Sequence, residues 1–170
     1  MKILATFDGS KFSESIITQL ELMARIPNAE FILFRVSDPP HGRLQQHMTS
    51  SRPDAMGETL GTTPIVVSHG DPQWAENKEQ AVERRMADLH AYLSDIAKRL
   101  PADAVTKIET VVADEPAAAI IECARHSAAD VIVMATHSRA ALLHVIFGST
   151  TEQVVRSGVA PVLVVHPKAD

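Results

Sequence analysis

The chain has 170 residues, 45% of them hydrophobic and 22% charged, enough to build one globular domain with a sizeable core. This excludes a disordered chain, which lacks apolar mass, and a collagen-like one, which needs far more than 7 glycines. The net charge of −5 argues against nucleic acid or an anionic membrane as the main partner, and the single cysteine, Cys123, can form neither an internal disulfide nor a cysteine-based zinc site.

In chain order, Ile3 to Phe7 predicts a first strand that ends in Asp8-Gly9-Ser10. The apolar run is too short for a signal peptide, and no stretch approaches the roughly 18 to 20 apolar residues of a membrane span, so a cytoplasmic location is expected. After Ser10, a good N-cap residue, Phe12, Ile16, Leu20 and Met23 recur at helical spacing. Phe31 to Val36 predicts the second strand. Residues 37–72 carry Pro39, Pro40, Pro53, Pro64 and Pro72 and no sustained period, so an irregular insertion is expected, a mobile flap over or beside the cleft with Ile65-Val66-Val67 docking it on the body.

A helix is predicted from about Gln73 to Leu100, with Val82, Met86, Leu89, Leu93, Ile96 and Leu100 forming one apolar stripe. Residues 104–113 are mixed in polarity and predict a strand near an edge, with Lys107 and Glu109 guarding it. Pro116 opens a third helix, where a missing N–H costs nothing, and Ile120, Ile121 and Ala124 supply its apolar face. Val131 to Ala135 is nearly all apolar, as in a strand covered on both faces. A fourth helix begins near Ser149, and Pro161 introduces a last strand, Val162 to Val165. Strands alternating with helices indicate an α/β protein with a mainly parallel sheet, here one domain over residues 1–170.

In such a sheet a ligand binds beyond the carboxyl ends of the strands, where the strand order reverses. Asp8 follows the first strand, Thr136-His137-Ser138-Arg139 follow the run 131–135, and Gly148-Ser149-Thr150-Thr151 open the last helix. An acid on one lip suits ribose hydroxyls, and a helix N-terminus offers amides and hydroxyls to phosphates. Each piece also has a plainer reading. Ser149-Thr150-Thr151-Glu152 fits a capping box, and Asp8 fits a turn residue bonding its own backbone.

Together these pieces resemble the universal stress protein family. They are the strand ending in Asp8-Gly9-Ser10, the strand Asp130-Val-Ile-Val-Met134, the segment Thr136-His137, Gly148-Ser149, and the closing Ala160-Pro-Val-Leu-Val-Val165. The resemblance covers 1–36 and 105–165. The family's nucleotide-binding frame, Gly-two residues-Gly-nine residues-Gly-Ser/Thr, falls on Ala135, Ser138 and Gly148-Ser149 with its spacing intact and two of three glycines replaced. A further family glycine, ahead of the third helix, is Ala113 here. Restoring glycine at 135 and 138 is expected to tighten nucleotide binding, if those positions need left-handed backbone.

The resemblance implies a three-layer α/β sandwich of the adenine-nucleotide alpha hydrolase-like type, with five parallel strands in the order 3-2-1-4-5. It implies that Thr6, Phe7 and Asp8 flank adenine and ribose, and that the backbone of Val36 reads the adenine edge. Met134 and Ala135 lie against the ribose, Ser138 and Arg139 near the phosphates, and Gly148, Ser149, Thr150 and Thr151 hold the phosphate tail. The implied ligand is ATP or AMP, with Mg2+ arriving on the nucleotide, since no carboxylate cluster suggests a dedicated metal site. No general base stands out, so any ATP hydrolysis is expected to be slow. The family also points to a homodimer through the strand Pro161–Val165, because an uncharged edge strand left open templates association.

Other chemistries lack their motifs. There is no Gly-x-Ser-x-Gly elbow, no Walker loop, no Gly-x-Gly-x-x-Gly after the first strand, and no His-Glu-x-x-His among the eight histidines. His126 and His166 read as solvated positions and Cys123 as a small core residue. A nucleotide-free dimeric interaction module and a related hydrolase or transferase remain as alternatives to the nucleotide-binding stress protein.

Overall fold

A computed structural model describes residues 1–39, 78–101, 104–136 and 147–166 of the chain. Five strands, β1 (Lys2–Phe7), β2 (Glu30–Ser37), β3 (Val105–Val112), β4 (Val131–Ala135) and β5 (Val162–Val165), form one sheet in the order β3-β2-β1-β4-β5. Every neighbouring pair is parallel. The helices are α1 (Ile17–Met23), α2 (Lys78–Ala97), α3 (Pro116–Ser127) and α4 (Ser149–Ser157), with a 3-10 turn at Ser13–Ile16 ahead of α1. The strands and their order match the sequence expectations, and β3 is an edge strand as its mixed polarity predicts.

Successive side chains of a strand point to opposite faces, and the core divides accordingly. On one face Ile3, Ala5, Phe7, Phe31, Leu33 and Val133 pack with Ile16 and Leu20 of the first helical segment and with Leu93, Ile96 and Leu100 on the α2 side. On the other, Leu4, Ile32, Phe34, Ile132 and Met134 meet Ile120, Cys123 and Ala124 of α3 and Val154 of α4. β1 and β4 are flanked on both sides by strands and covered on both faces by helices, which is why they read as largely apolar runs.

Four local expectations are corrected. Phe12 does not share the apolar face of Ile16 and Leu20: it precedes the 3-10 turn, whose tighter winding breaks the 3.6-residue period, and is 53% exposed. The helix predicted to reach Leu100 ends its regular part at Ala97, although Leu100 beyond it is still buried; its predicted start near Gln73 lies outside the described residues. The N-cap of α4 is Gly148, not Ser149, with no side-chain cap bond; Glu152 pairs with Arg156 at 2.7 Å instead of reaching back.

Nor is Ser10 the N-cap expected of it: its Oγ accepts the Ser13 N–H at 3.1 Å in the turn ahead, while the 3-10 turn is capped at Phe12 and α1 at Ile16. Other expectations hold. Pro116 opens α3, and Ala128 closes it in a left-handed conformation at φ 51°. The flap expected at 37–72, apart from Ser37 to Pro39, lies outside the described residues, as do Ile65-Val66-Val67, His137, Ser138 and Arg139.

Candidate functional site

The chain runs from β1 to β2 and β3 on one side, then crosses back to place β4 on the other side of β1. The order reverses between β1 and β4, and a cleft of about 370 Å³ opens at their carboxyl ends. Its walls include Thr6, Phe7 and Asp8 from β1 and the turn after it, Val36 from β2, and Met134 and Ala135 from β4. Gly148, Thr150 and Thr151 at the start of α4 close the far side. Nine of the twelve residues named from the sequence are therefore brought together. Ser149 is exposed and does not line the cleft, and Ser138 and Arg139 lie outside the described residues.

The floor is apolar and tightly held: Phe7 and Met134 are buried, as is the small polar Thr6. Asp8 stands above it in a turn, its Oδ1 accepting the Ser10 N–H at 2.7 Å. The backbone-bonding turn and the lip acid of the sequence reading thus coexist in one residue, because a carboxylate has about four acceptor sites. Between them Gly9 takes φ 86°, a left-handed conformation open to glycine. Across the cleft Thr136, fully buried, ties β4 to β5 through its N–H to Val165 O at 3.1 Å and accepts the Gly148 N–H at Oγ1 (3.4 Å). This bond seats the N-terminus of α4 at the end of β4. Among the described residues, a Cβ added to Gly148 would meet nothing within 4 Å.

The replaced glycines turn out to be conformationally neutral where they are described. Neither Ala135 nor Ala113 has a positive φ; Ala135 ends β4 in register with Val165, and Ala113 donates its N–H to Ser37 O at 3.0 Å. The left-handed freedom that would favour glycine is not used at either position.

Sequence reasoning missed Ser13, Phe34, Arg35, Pro116 and Ile120, which also line the cleft. Arg35 is the most consequential. Its guanidinium carbon lies 4.5 Å over the Tyr92 ring centre, and Nη2 donates to Asp8 O at 3.4 Å. Tyr92 in turn meets Phe7 edge-on, with ring centres 6.4 Å apart, and donates to Glu14 at 3.4 Å. Burial holds the Tyr92 phenol above its ordinary value, Glu14 and Asp8 push the same way, and Ser13 and Arg35 oppose them. The signal in the sequence was the one cation inside the apolar run Phe31–Val36.

A second groove, about 580 Å³, runs between β3 and α3, with Glu109, Glu122, Cys123 and His126 beside Phe34 and Val111. No group of three or more His, Cys, Asp or Glu able to hold a metal ion occurs among the described residues, and no helix among them is long and apolar enough to cross a membrane.

The curated relative Universal stress protein MJ0577 of Methanocaldococcus jannaschii is 28% identical over 169 residues, covering 98% of this chain and 95% of its own. The solved structure of MJ0577 superposes with a TM-score of 0.68 at 22% identity, covering 99% of this chain and 97% of that one. A universal stress protein solved in complex with cAMP gives 0.59 at 20% identity, covering 98% and 96% of the two chains. One from Archaeoglobus fulgidus in complex with dAMP gives 0.52 at 18%, covering 96% and 94%. The five-stranded sheet and its order are those of the adenine-nucleotide alpha hydrolase-like fold. The Universal stress protein family matches residues 1–166, and the chain belongs to it.

Proposed function

We propose that the cleft binds an adenine nucleotide, ATP or AMP, and that the protein acts as a cytoplasmic stress-response regulator through its nucleotide-bound and nucleotide-free states. The observation that carries this reading is the pairing of Asp8 on one lip with the N-terminus of α4 on the other, across the point where the strand order reverses. Each end suits one part of a nucleotide. The Asp8 carboxylate accepts hydrogen bonds from ribose hydroxyls, while the amides of Ser149, Thr150 and Thr151 and the helix dipole face phosphate. The described residues leave room beside Gly148 for phosphate oxygens.

The floor of Phe7 and Met134, with the small polar Thr6 beside them, suits the base and sugar. The β1–β2 register ends at Phe7 and Arg35, so the β1-facing side of β2 opens into the cleft at Val36, where backbone groups can read the adenine edge. Ser138 and Arg139 are assigned to the phosphates by the family frame alone. Relatives solved with cAMP and dAMP support the class of ligand. Mg2+ would come with the phosphates of ATP, and the cleft residues bind and orient the nucleotide, leaving hydrolysis slow at most. Titration calorimetry with ATP and AMP in the presence of magnesium tests this. Saturable heat supports it, and the absence of both heat and thermal shift at millimolar nucleotide overturns it.

A dimer belongs to the same proposal. β5 is an edge strand of apolar residues, and Leu163 on it is 38% exposed. Pairing Pro161–Val165 with the same strand of a second copy satisfies its open backbone edge. The same observation favours a second reading, a nucleotide-free dimeric interaction module, which the calorimetry distinguishes.

A further inference from the structure

Arg35 has no role in the nucleotide contacts that the family frame assigns, yet it touches each part of the wall behind Asp8. Its guanidinium stacks on Tyr92 at 4.5 Å, its Nη2 donates to the Asp8 carbonyl at 3.4 Å, and the same nitrogen fills the space that a Gly9 Cβ would need. Its buried Nε finds no hydrogen-bond partner among the described residues. A buried donor is left without an acceptor when other contacts fix the group, and here the stacking and the close fit against Gly9 fix it.

We infer that Arg35 is a positioning residue: held by Tyr92, it fixes the Asp8-Gly9-Ser10 turn so that the Asp8 carboxylate selects nucleotides with free ribose hydroxyls. The inference rests on the nucleotide reading of the cleft. The Ser10 N–H holds the Asp8 carboxylate at 2.7 Å from within, Ser13 and Glu14 hold Ser10 on the helical side, and Arg35 holds the Asp8 carbonyl and fills the hollow under Gly9 from outside. Without Arg35 the left-handed Gly9 gains freedom on the Asp8 side of the turn, and the carboxylate shares it. Tyr92 is itself braced by Phe7 and by Glu14, which pairs with Arg99, so the anchor extends to the last turns of the α2 side. Lysine lacks the planar fork needed to stack and donate together.

The test compares AMP with 2′,3′-dideoxy-AMP by calorimetry in the native chain and in Arg35→Met, Arg35→Lys and Tyr92→Leu. Native protein is expected to prefer AMP by about tenfold, the scale of one hydrogen bond to a charged acceptor. In Arg35→Met the ratio falls toward one while dideoxy-AMP affinity is kept, Arg35→Lys does not restore it, and Tyr92→Leu repeats the loss. Equal weakening of both nucleotides, or an unchanged ratio, overturns the inference. Hydrogen exchange without ligand separates this from the nucleotide reading. Arg35→Met is expected to speed exchange at the Ser10 amide and not at Val131–Ala135. If native protein binds neither nucleotide, the reading of the cleft fails. Unchanged Ser10 exchange means that Arg35 does not position the turn. Should Arg35→Met fail to fold, Tyr92→Leu carries both measurements.

Discussion

The Cys123 thiol on α3 donates to Glu109 Oε2 on β3 at 3.2 Å, and Lys107 holds the other oxygen of that carboxylate at 2.6 Å. Burial and the adjacent Glu109 push the thiol up to about 12 from an ordinary 9.0. Burial raises Glu109 too, but the bonds from Lys107 and Cys123 outweigh it and leave the carboxyl below its usual value. The cysteine is thus a hydrogen-bond donor in a packed layer and holds almost no thiolate at neutral pH.

Cys123 is therefore expected to resist a disulfide reagent at pH 8 in the native state and to react at once in denaturant, as followed by absorbance. The pH dependence has a definite sign. In the unfolded chain the thiol loses its proton near 9.0 and in the folded protein near 12, so across that window the unfolded state binds fewer protons and stability falls as pH rises. Tyr92, also raised, adds to the slope. Denaturant melts of Cys123→Ala between pH 8 and 11 should show a shallower decline than the native chain; equal slopes would refute the assignment.

Gly9, in the turn after β1, and Gly148, on the cleft wall, are expected to respond to different degrees. Gly9→Ala puts a side chain on a backbone at φ 86° and against the Arg35 guanidinium, and it should destabilise the fold by about 2 kcal/mol. For a chain of this size that lowers Tm by roughly 4 to 8 °C. Gly148→Ala meets none of the described residues at an ordinary backbone angle and changes only the cap preference, a loss of about 1 kcal/mol or less. Thermal melts of the two variants give the comparison.

Ala135→Gly tests whether the missing family glycine matters. Since Ala135 is extended and in register with Val165, glycine there gains no left-handed freedom, and nucleotide affinity is expected to stay within about twofold. A clear tightening by calorimetry would mean that the methyl group itself obstructs the ligand.

Leu163→Lys addresses the proposed dimer. A charge on the exposed face of the edge strand should give monomer at tens of micromolar by light scattering, where the native chain is expected to form a pair, with little change in Tm of the monomer unit. A native chain that is already monomeric there removes the dimer from the reading.

The strands were legible because β1, β2 and β4 are covered on both faces, so their residues are apolar whichever way they point. Order and parallel pairing followed from the resemblance and from the long helical crossovers. The site was legible where one residue's chemistry is local, as at Asp8 and the Gly148 helix start. Arg35 was not, since its meaning depends on Tyr92, a residue from a helix far along the chain. Phe12 misled because a period of 3.6 was extended through a turn wound more tightly, and Ser149 because a capping box and a glycine cap share the same letters.

The sheet order also sets a schedule for synthesis. β1 leaves the ribosome first and finds β2 within the next few dozen residues, yet its other neighbour begins only at Val131. Until then the central strand of the finished protein is an open edge of a growing one, lined with Ile3, Leu4 and Ala5, which end fully buried. A chain stalled before β4 displays that edge to any strand nearby, so the interval of translation between Phe7 and Val131 is the period of greatest exposure to misassembly.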